Sequence, residues 1–179
     1  MATRRRKRKA IQVRTKRNFE KRHFNYGRWT KGRFSEAVTV IGPAKTVFLA
    51  GIGSEHEQTG KIMYPGDFTA QCRYAFRKLK KVLARNGAGM SDVVKQITYV
   101  IDARHQKQAG ECRREAYGKA PLPAHTFLNV SQLAWPEMLV EIDVIAMAPL
   151  RRSICSALIA RRARSRRENG ILLIATQPC

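Results

Sequence analysis

Acidic residues are scarce in this chain: 13 Asp and Glu stand against 35 Lys and Arg in 179 residues, a formal net charge of +22. Cysteine is sparse too, at positions 72, 112, 155 and 179, with no C-x-x-C pair. That spacing makes neither a disulfide framework nor a zinc set, and a reducing cytoplasm is the expected compartment. No run approaches the ~20 apolar residues of a membrane-spanning helix, and no apolar segment marks a secretory signal near residue 1. His23, His56, His105 and His125 show no H-x-x-x-H spacing, so no metal site is expected. G-x-S-x-G and G-x-x-x-x-G-K are both missing, which disfavours serine-nucleophile hydrolases and P-loop phosphate cradles. With 44% hydrophobic residues, the chain has enough apolar side chains for one packed domain.

The positive charge is concentrated at the ends. Residues 1–33 carry +13 and residues 151–179 carry +6, which leaves +3 for the 117 residues between. The divisions read from this are a basic arm (1–33), a globular domain (34–150) and a basic tail (151–179). Arg4, Arg5, Arg6, Lys7, Arg8 and Lys9 open the arm, with Phe19, Phe24, Tyr26 and Trp29 further along it. Closely spaced like charges repel and resist compaction, so a solvated tail is one reading. Cations for phosphates with aromatic rings for bases make nonspecific nucleic-acid binding the other. Two apolar runs in the tail (Ile154–Ile159 and Ile171–Ile174) are too short to cross a bilayer, and no membrane association is expected.

Within 34–150, residues 38–41 and 46–50 are rich in β-branched and aromatic side chains on either side of Gly42-Pro43, the pattern of a β-hairpin. Asp67 is a good N-cap for a helix ending near Gly87. Phe68, Cys72, Ala75, Phe76, Leu79 and Leu83 recur on it at steps of three and four. A strand over 93–101, a shorter helix over 104–117 and strands over 124–131 and 139–147 follow. The order β-β-α-β-α-β-β predicts an α+β domain: a single mixed sheet with two helices on one face. The other face needs a cover. On the last two strands, Phe127 and Ile145 beside His125, Asn129, Glu141 and Asp143 are read as one such face, which an oligomer would bury.

Phe34-Ser35-Glu36-Ala37-Val38, Asp67-Phe68-Thr69-Ala70-Gln71, Gly87-Ala88-Gly89-Met90-Ser91-Asp92-Val93-Val94-Lys95, Pro123-Ala124 and Leu139-Val140-Glu141-Ile142 form an ordered set. This set resembles the RidA/YjgF family of reactive intermediate deaminases over roughly residues 34–148. The resemblance implies a chorismate-mutase-like fold, a homotrimer joined through the open sheet face, and a small-molecule cleft between subunits. It implies no cofactor. The chemistry it implies is hydrolysis of an imine or enamine to a carbonyl compound and ammonia, with Glu141 and His125 as catalytic candidates. Phe34, Gly51, Tyr117 and Phe127 are the implied substrate-binding candidates. The signature arginine that grips a substrate carboxylate is replaced by His125, which places the chain in the subgroup lacking it. A guanidinium is a permanent two-pronged cation, whereas imidazole is mostly neutral near pH 7. A metabolite-binding module without chemistry and an RNA-binding protein acting through its arms are the alternative functions.

Overall fold

The computed structural model describes residues 19–150, in which six strands and two helices follow one another. They are β1 (Glu20–Phe24), β2 (Ala37–Ile41), β3 (Ala44–Phe48), α1 (Phe68–Arg85), β4 (Val93–Val100), α2 (Gln106–Tyr117), β5 (Ala124–Asn129) and β6 (Val140–Pro149). Four strands form a mixed sheet in the order β3-β6-β4-β5, and β1-β2 form a separate antiparallel ribbon. The α+β class and two helices over a mixed sheet agree with expectation, but the single sheet and the 42–43 hairpin do not. β2 pairs with β1, whereas β3 joins the edge of β6, and Leu49 and Ile52 just beyond it donate to the carbonyls of Val144 and Ile142.

β1 also corrects the expected arm. Glu20–Phe24 lie inside residues 1–33, yet they pair with Ala37–Ile41, and Arg28–Thr30 form a 3-10 turn. Their charges do not prevent this because the ribbon alternates exposed and half-buried positions, and Lys21 finds Asp92 at 3.2 Å. The Arg4–Lys9 run and the 151–179 tail lie outside the described residues.

α1 forms as its periodicity requires. Asp67 Oδ1 accepts from the Ala70 amide at 2.9 Å, and Gly87 follows the helix at φ +61°, a backbone setting that glycine adopts freely. Its stripe of Phe68, Cys72, Ala75, Phe76, Leu79 and Leu83 is buried against the sheet. Each large side chain so buried contributes roughly 1.5–3 kcal/mol. Gln71 is buried on the same face: its amide donates to the carbonyls of Tyr64 and Glu137 and accepts from the Leu139 amide. These bonds tie the helix to the entrance of β6.

Strand register decides which side chains share a face. β4 lies between β5, to which it is parallel, and β6, to which it is antiparallel. Gln96 pairs with both His125 and Val144, while Tyr99 pairs with both Leu128 and Glu141. His125 and Phe127 therefore share the helix-covered face with Gln96 and Thr98, and Glu141, Asp143 and Ile145 share the opposite one. The single face read from His125, Phe127, Asn129, Glu141, Asp143 and Ile145 is thereby corrected. β5 odd positions align with β4 even positions, and those align with β6 even positions.

Candidate functional site

The candidate residues fall into two groups, one on each side of the sheet. On the helix side, a cavity of about 520 Å³ opens between α2, the edge strand β5 and the segment before β2. Ser35 bridges to Ala124, its amide donates to the Pro123 carbonyl at 3.0 Å, and its hydroxyl donates to the Leu122 carbonyl at 2.7 Å. Asn25 donates to the Phe34 carbonyl at 2.7 Å. These bonds hold Phe34 over the start of β5, with its ring 6.4 Å from His125 and 5.6 Å from Trp29. Phe34, His125 and Phe127 all line this cavity, so the structure brings three of the six candidates together.

Tyr117 is not among them. It is 4% exposed and sits in the core, where its hydroxyl donates to Gln96 Oε1 at 2.9 Å. The cleft-wall role expected of it is replaced by a structural one, because α2 turns this position onto its buried stripe. Tyr117 does reach the cavity indirectly. Gln96 Nε2 donates to Thr98 Oγ1 at 2.8 Å, and Thr98 Oγ1 lies 3.0 Å from His125 Nε2. The buried Thr98 hydroxyl needs an acceptor for its proton, and His125 Nε2 is its remaining partner. His125 then carries its own proton on Nδ1. Burial, with Arg113 and Lys95 adding to it, pushes the His125 pKa down to about 3. A ring neutral down to that pH does not cycle protons in the neutral range, so His125 fits a hydrogen-bonding role and not that of a proton shuttle.

Sequence reasoning missed Arg113. This α2 residue is 6% exposed and lines the same cavity. Its Nη2 donates to the Arg33 carbonyl at 2.6 Å, while Nε and Nη1 are buried with no hydrogen-bond partner among the described residues. Burial lowers its pKa to about 10, which leaves it charged at neutral pH. The sequence did hold a signal: a cation within the Ala109, Cys112, Tyr117 stripe is out of place on a core-facing surface.

Gly51 and Glu141 meet on the opposite face. Ile52 and Ile142 exchange backbone hydrogen bonds of 2.9 and 3.0 Å, which sets Gly51 beside Glu141. The Glu141 carboxylate occupies the space that a Cβ at position 51 would need. Burial, then the charges of Glu55 and Asp143, raise the Glu141 pKa from its ordinary carboxylate value. Ile97, Tyr99, Ile145 and Met147 share this face at half-buried positions of β4 and β6, with Tyr99 directly opposite Glu141. Among the described residues, no group of His, Cys, Asp and Glu side chains could hold a metal ion, and no helix is long and apolar enough to cross a membrane.

With this geometry in view, the likeness to known proteins is specific. The family model described as Endoribonuclease L-PSP matches residues 28–148. A RutC family protein of Pyrococcus abyssi is 30% identical over 115 residues, which cover 64% of this chain and 86% of that protein. A protein of Dermatophagoides farinae named 2-iminobutanoate/2-iminopropanoate deaminase is 29% identical over 116 residues, 65% of this chain and 86% of its own. Among solved structures, a Rid-family protein of unknown function from Yersinia pestis superposes with a TM-score of 0.63 at 31% identity. That match covers 72% of this chain and 98% of the other.

Proposed function

The chain belongs to the Endoribonuclease L-PSP (RidA/YjgF) family, and on that footing we propose that it hydrolyses a reactive imine or enamine in a cleft between subunits of a homotrimer. One subunit would contribute Phe34, His125 and Phe127 from its helix side. Its neighbour would contribute Gly51 and Glu141 from the open face. The observation that carries this reading is the division of the candidates between opposite faces of one sheet. Within a single subunit, His125 and Glu141 cannot act on the same atom. Two further features support it: the half-buried apolar side chains on the face that carries Glu141, and the likeness to the Dermatophagoides farinae protein named as an imine deaminase.

In the proposed reaction an enamine first tautomerises to the imine. Water oxygen then adds to the imine carbon, Glu141 takes one water proton, and the nitrogen gains one. The resulting carbinolamine expels ammonia as the C–N bond breaks and the carbonyl forms, so one water is consumed per ammonia released. A carboxylate whose pKa is raised by burial is a stronger base than a free one, which suits a group that takes a proton from water and returns it. Neutral His125 offers Nδ1–H as a hydrogen-bond donor without adding a charge.

The test is ammonia release from freshly generated imines by the full chain. Glu141→Ala is expected to lower the rate about 10²–10⁴-fold, the usual contribution of general acid–base catalysis. If wild type and variant both follow the uncatalysed rate across several imines, the enzyme reading is lost. Saturable binding without turnover would then favour the metabolite-binding module.

A further inference from the structure

We propose that the outer face of the β1–β2 ribbon, with the turn that follows β1, binds single-stranded nucleic acid. Phe24 and Tyr26 are its stacking platforms, and Arg22, Arg28 and Lys31 are its phosphate contacts. None of these five residues lines the helix-side cavity, and the proposal holds whether or not the chain hydrolyses imines.

The two rings are left uncovered by their own neighbours. Phe24 is 58% exposed and Tyr26 is 91% exposed. Glu20, Arg22 and Phe24 form the exposed row of β1, and Tyr26 and Arg28 continue the alternation past its end. Cross-strand partners share a face, and here Arg22 stands opposite Thr39 and Phe24 opposite Ala37. Side chains as small as these cannot lie over a phenyl ring or a guanidinium. A ring and a cation therefore stand side by side on an open surface.

The backbone beneath the rings is fixed. The Tyr26 amide donates to the Glu36 carboxylate, and the Gly27 amide donates to the same oxygen at 3.2 Å. Asn25 Nδ2 donates to Thr30 Oγ1 at 2.8 Å and to the Phe34 carbonyl at 2.7 Å. Thr30 Oγ1 in turn donates to the Gly27 carbonyl at 2.7 Å. A platform ordered in advance loses less freedom when it binds.

The charge selects the partner. Residues 1–33 hold 14 Lys and Arg and a single acid, Glu20, and the Arg4–Lys9 run precedes the ribbon in the chain. Arg28 and Lys31 are exposed and form no ion pair among the described residues. Arg22 pairs with Glu20 at 2.7 Å, but both side chains are exposed, and such a contact yields readily to a phosphate. Cations that track a phosphate backbone beside rings that stack on any base are what an unpaired strand needs. In a duplex the base faces are already stacked and out of reach. A lipid surface calls for one continuous apolar face, whereas Phe24 and Tyr26 are separated by Asn25 and flanked by His23 and Gly27. Trp29 is exposed too, but it stands edge-on to Phe34 and belongs to the cavity wall.

Fluorescence anisotropy of the full chain with labelled oligouridylate, oligothymidylate and a mixed-sequence duplex, over a salt series, tests this. Wild type is expected to bind single strands more tightly than the duplex. Binding to only one of the two single strands upholds the proposal and identifies the sugar that is read. Phe24→Ala and Tyr26→Ala should each weaken single-strand binding roughly five- to 150-fold, the loss of one stacked base, while Tyr26→Phe retains it. Arg28→Gln should flatten the slope of log affinity against log salt by about 0.7, which the ring variants leave unchanged. Equal binding of single strand and duplex by wild type overturns the proposal, and so do ring variants of wild-type affinity, because basic residues alone would then account for binding. Dissociation of the oligomer by Phe24→Ala and Tyr26→Ala in sedimentation also overturns it, the rings then being a contact between copies. Vesicles of equal parts phosphatidylserine and phosphatidylcholine supply the last arm: binding there that needs Tyr26, with oligonucleotide binding that does not, makes this a lipid surface and overturns the proposal.

Discussion

On the helix side of the sheet, Val93, Val100, Val140, Ile142 and Val144 are sealed beneath α1 and α2, and the cavity at its edge is cationic and ringed by aromatics. On the other side, Ile97, Tyr99, Ile145 and Met147 are only half-buried and stand among Glu141 and Asp143. The helix side holds a buried cation with two nitrogens unpartnered among the described residues. The open side holds a carboxylate whose pKa is raised by burial and by acidic neighbours, with Gly51 leaving room for it. Under the proposed function these are two halves of one cleft: the helix side supplies apolar walls and a neutral imidazole, and the open side supplies the carboxylate, so each carries groups that the other lacks.

The largest effect that would sharpen this contrast is the pH response of the helix side. His125 has a folded pKa of about 3 against an ordinary 6.5. As pH falls below 6.5 the unfolded chain takes up a proton that the folded chain refuses. Stability is therefore fully present above about 6.5 and is lost progressively as pH falls toward 3. Allowing for partial solvent access, the loss is on the order of 3 kcal/mol. His125→Gln should remove that part of the acid sensitivity, read from urea midpoints between pH 7 and pH 4. A midpoint-versus-pH curve unchanged by the substitution would mean that His125 is protonated in the folded protein, and the directed chain from Tyr117 through Gln96 and Thr98 would be wrong.

Next in size is a change confined to the open face. Gly51→Ala places a methyl group where the Glu141 carboxylate lies. Displacing an oriented general acid–base group is expected to cost about 100-fold in ammonia release. The acid sensitivity set by His125, which depends on the other face, should be unchanged, as for any remote substitution. If both change together, the two halves are not separable, and Gly51 acts through the fold instead of through Glu141.

The parts of this molecule that could be read from sequence are those in which local pattern and tertiary role coincide. α1 shows its cap, its stripe and its stop in consecutive residues, and all three are realised. The order of elements from β2 onward follows in the same way. What could not be read depends on partners distant in the chain. Glu20–Phe24 has no strand-like composition, and it becomes a strand because Ala37–Ile41 offers an edge. The face shared by His125 and Glu141 depends on the parity of pairing across β4, which no spacing within β5 or β6 encodes. Gly51 and Glu141 were each legible as candidates because the family pattern carries them, but their contact was not, and Arg113 follows no pattern of that kind. Only its burial and its unpaired nitrogens reveal it.

The smallest expected effect separates the site from the scaffold. Asp67→Ala removes the acceptor for the Ala70 amide at the start of α1, at a cost of roughly 0.5–2 kcal/mol. Asp67 lines neither the cavity nor the Gly51–Glu141 group, and α1 is held independently by Leu79, Leu83 and the Gln71 hydrogen bonds. The urea midpoint should therefore drop while ammonia release per folded molecule stays at the wild-type value. A variant that loses activity in proportion to so small a change in stability would show that both halves sit close to the edge of folding. The larger losses expected of Gly51→Ala and Glu141→Ala would then report on the scaffold instead of the chemistry.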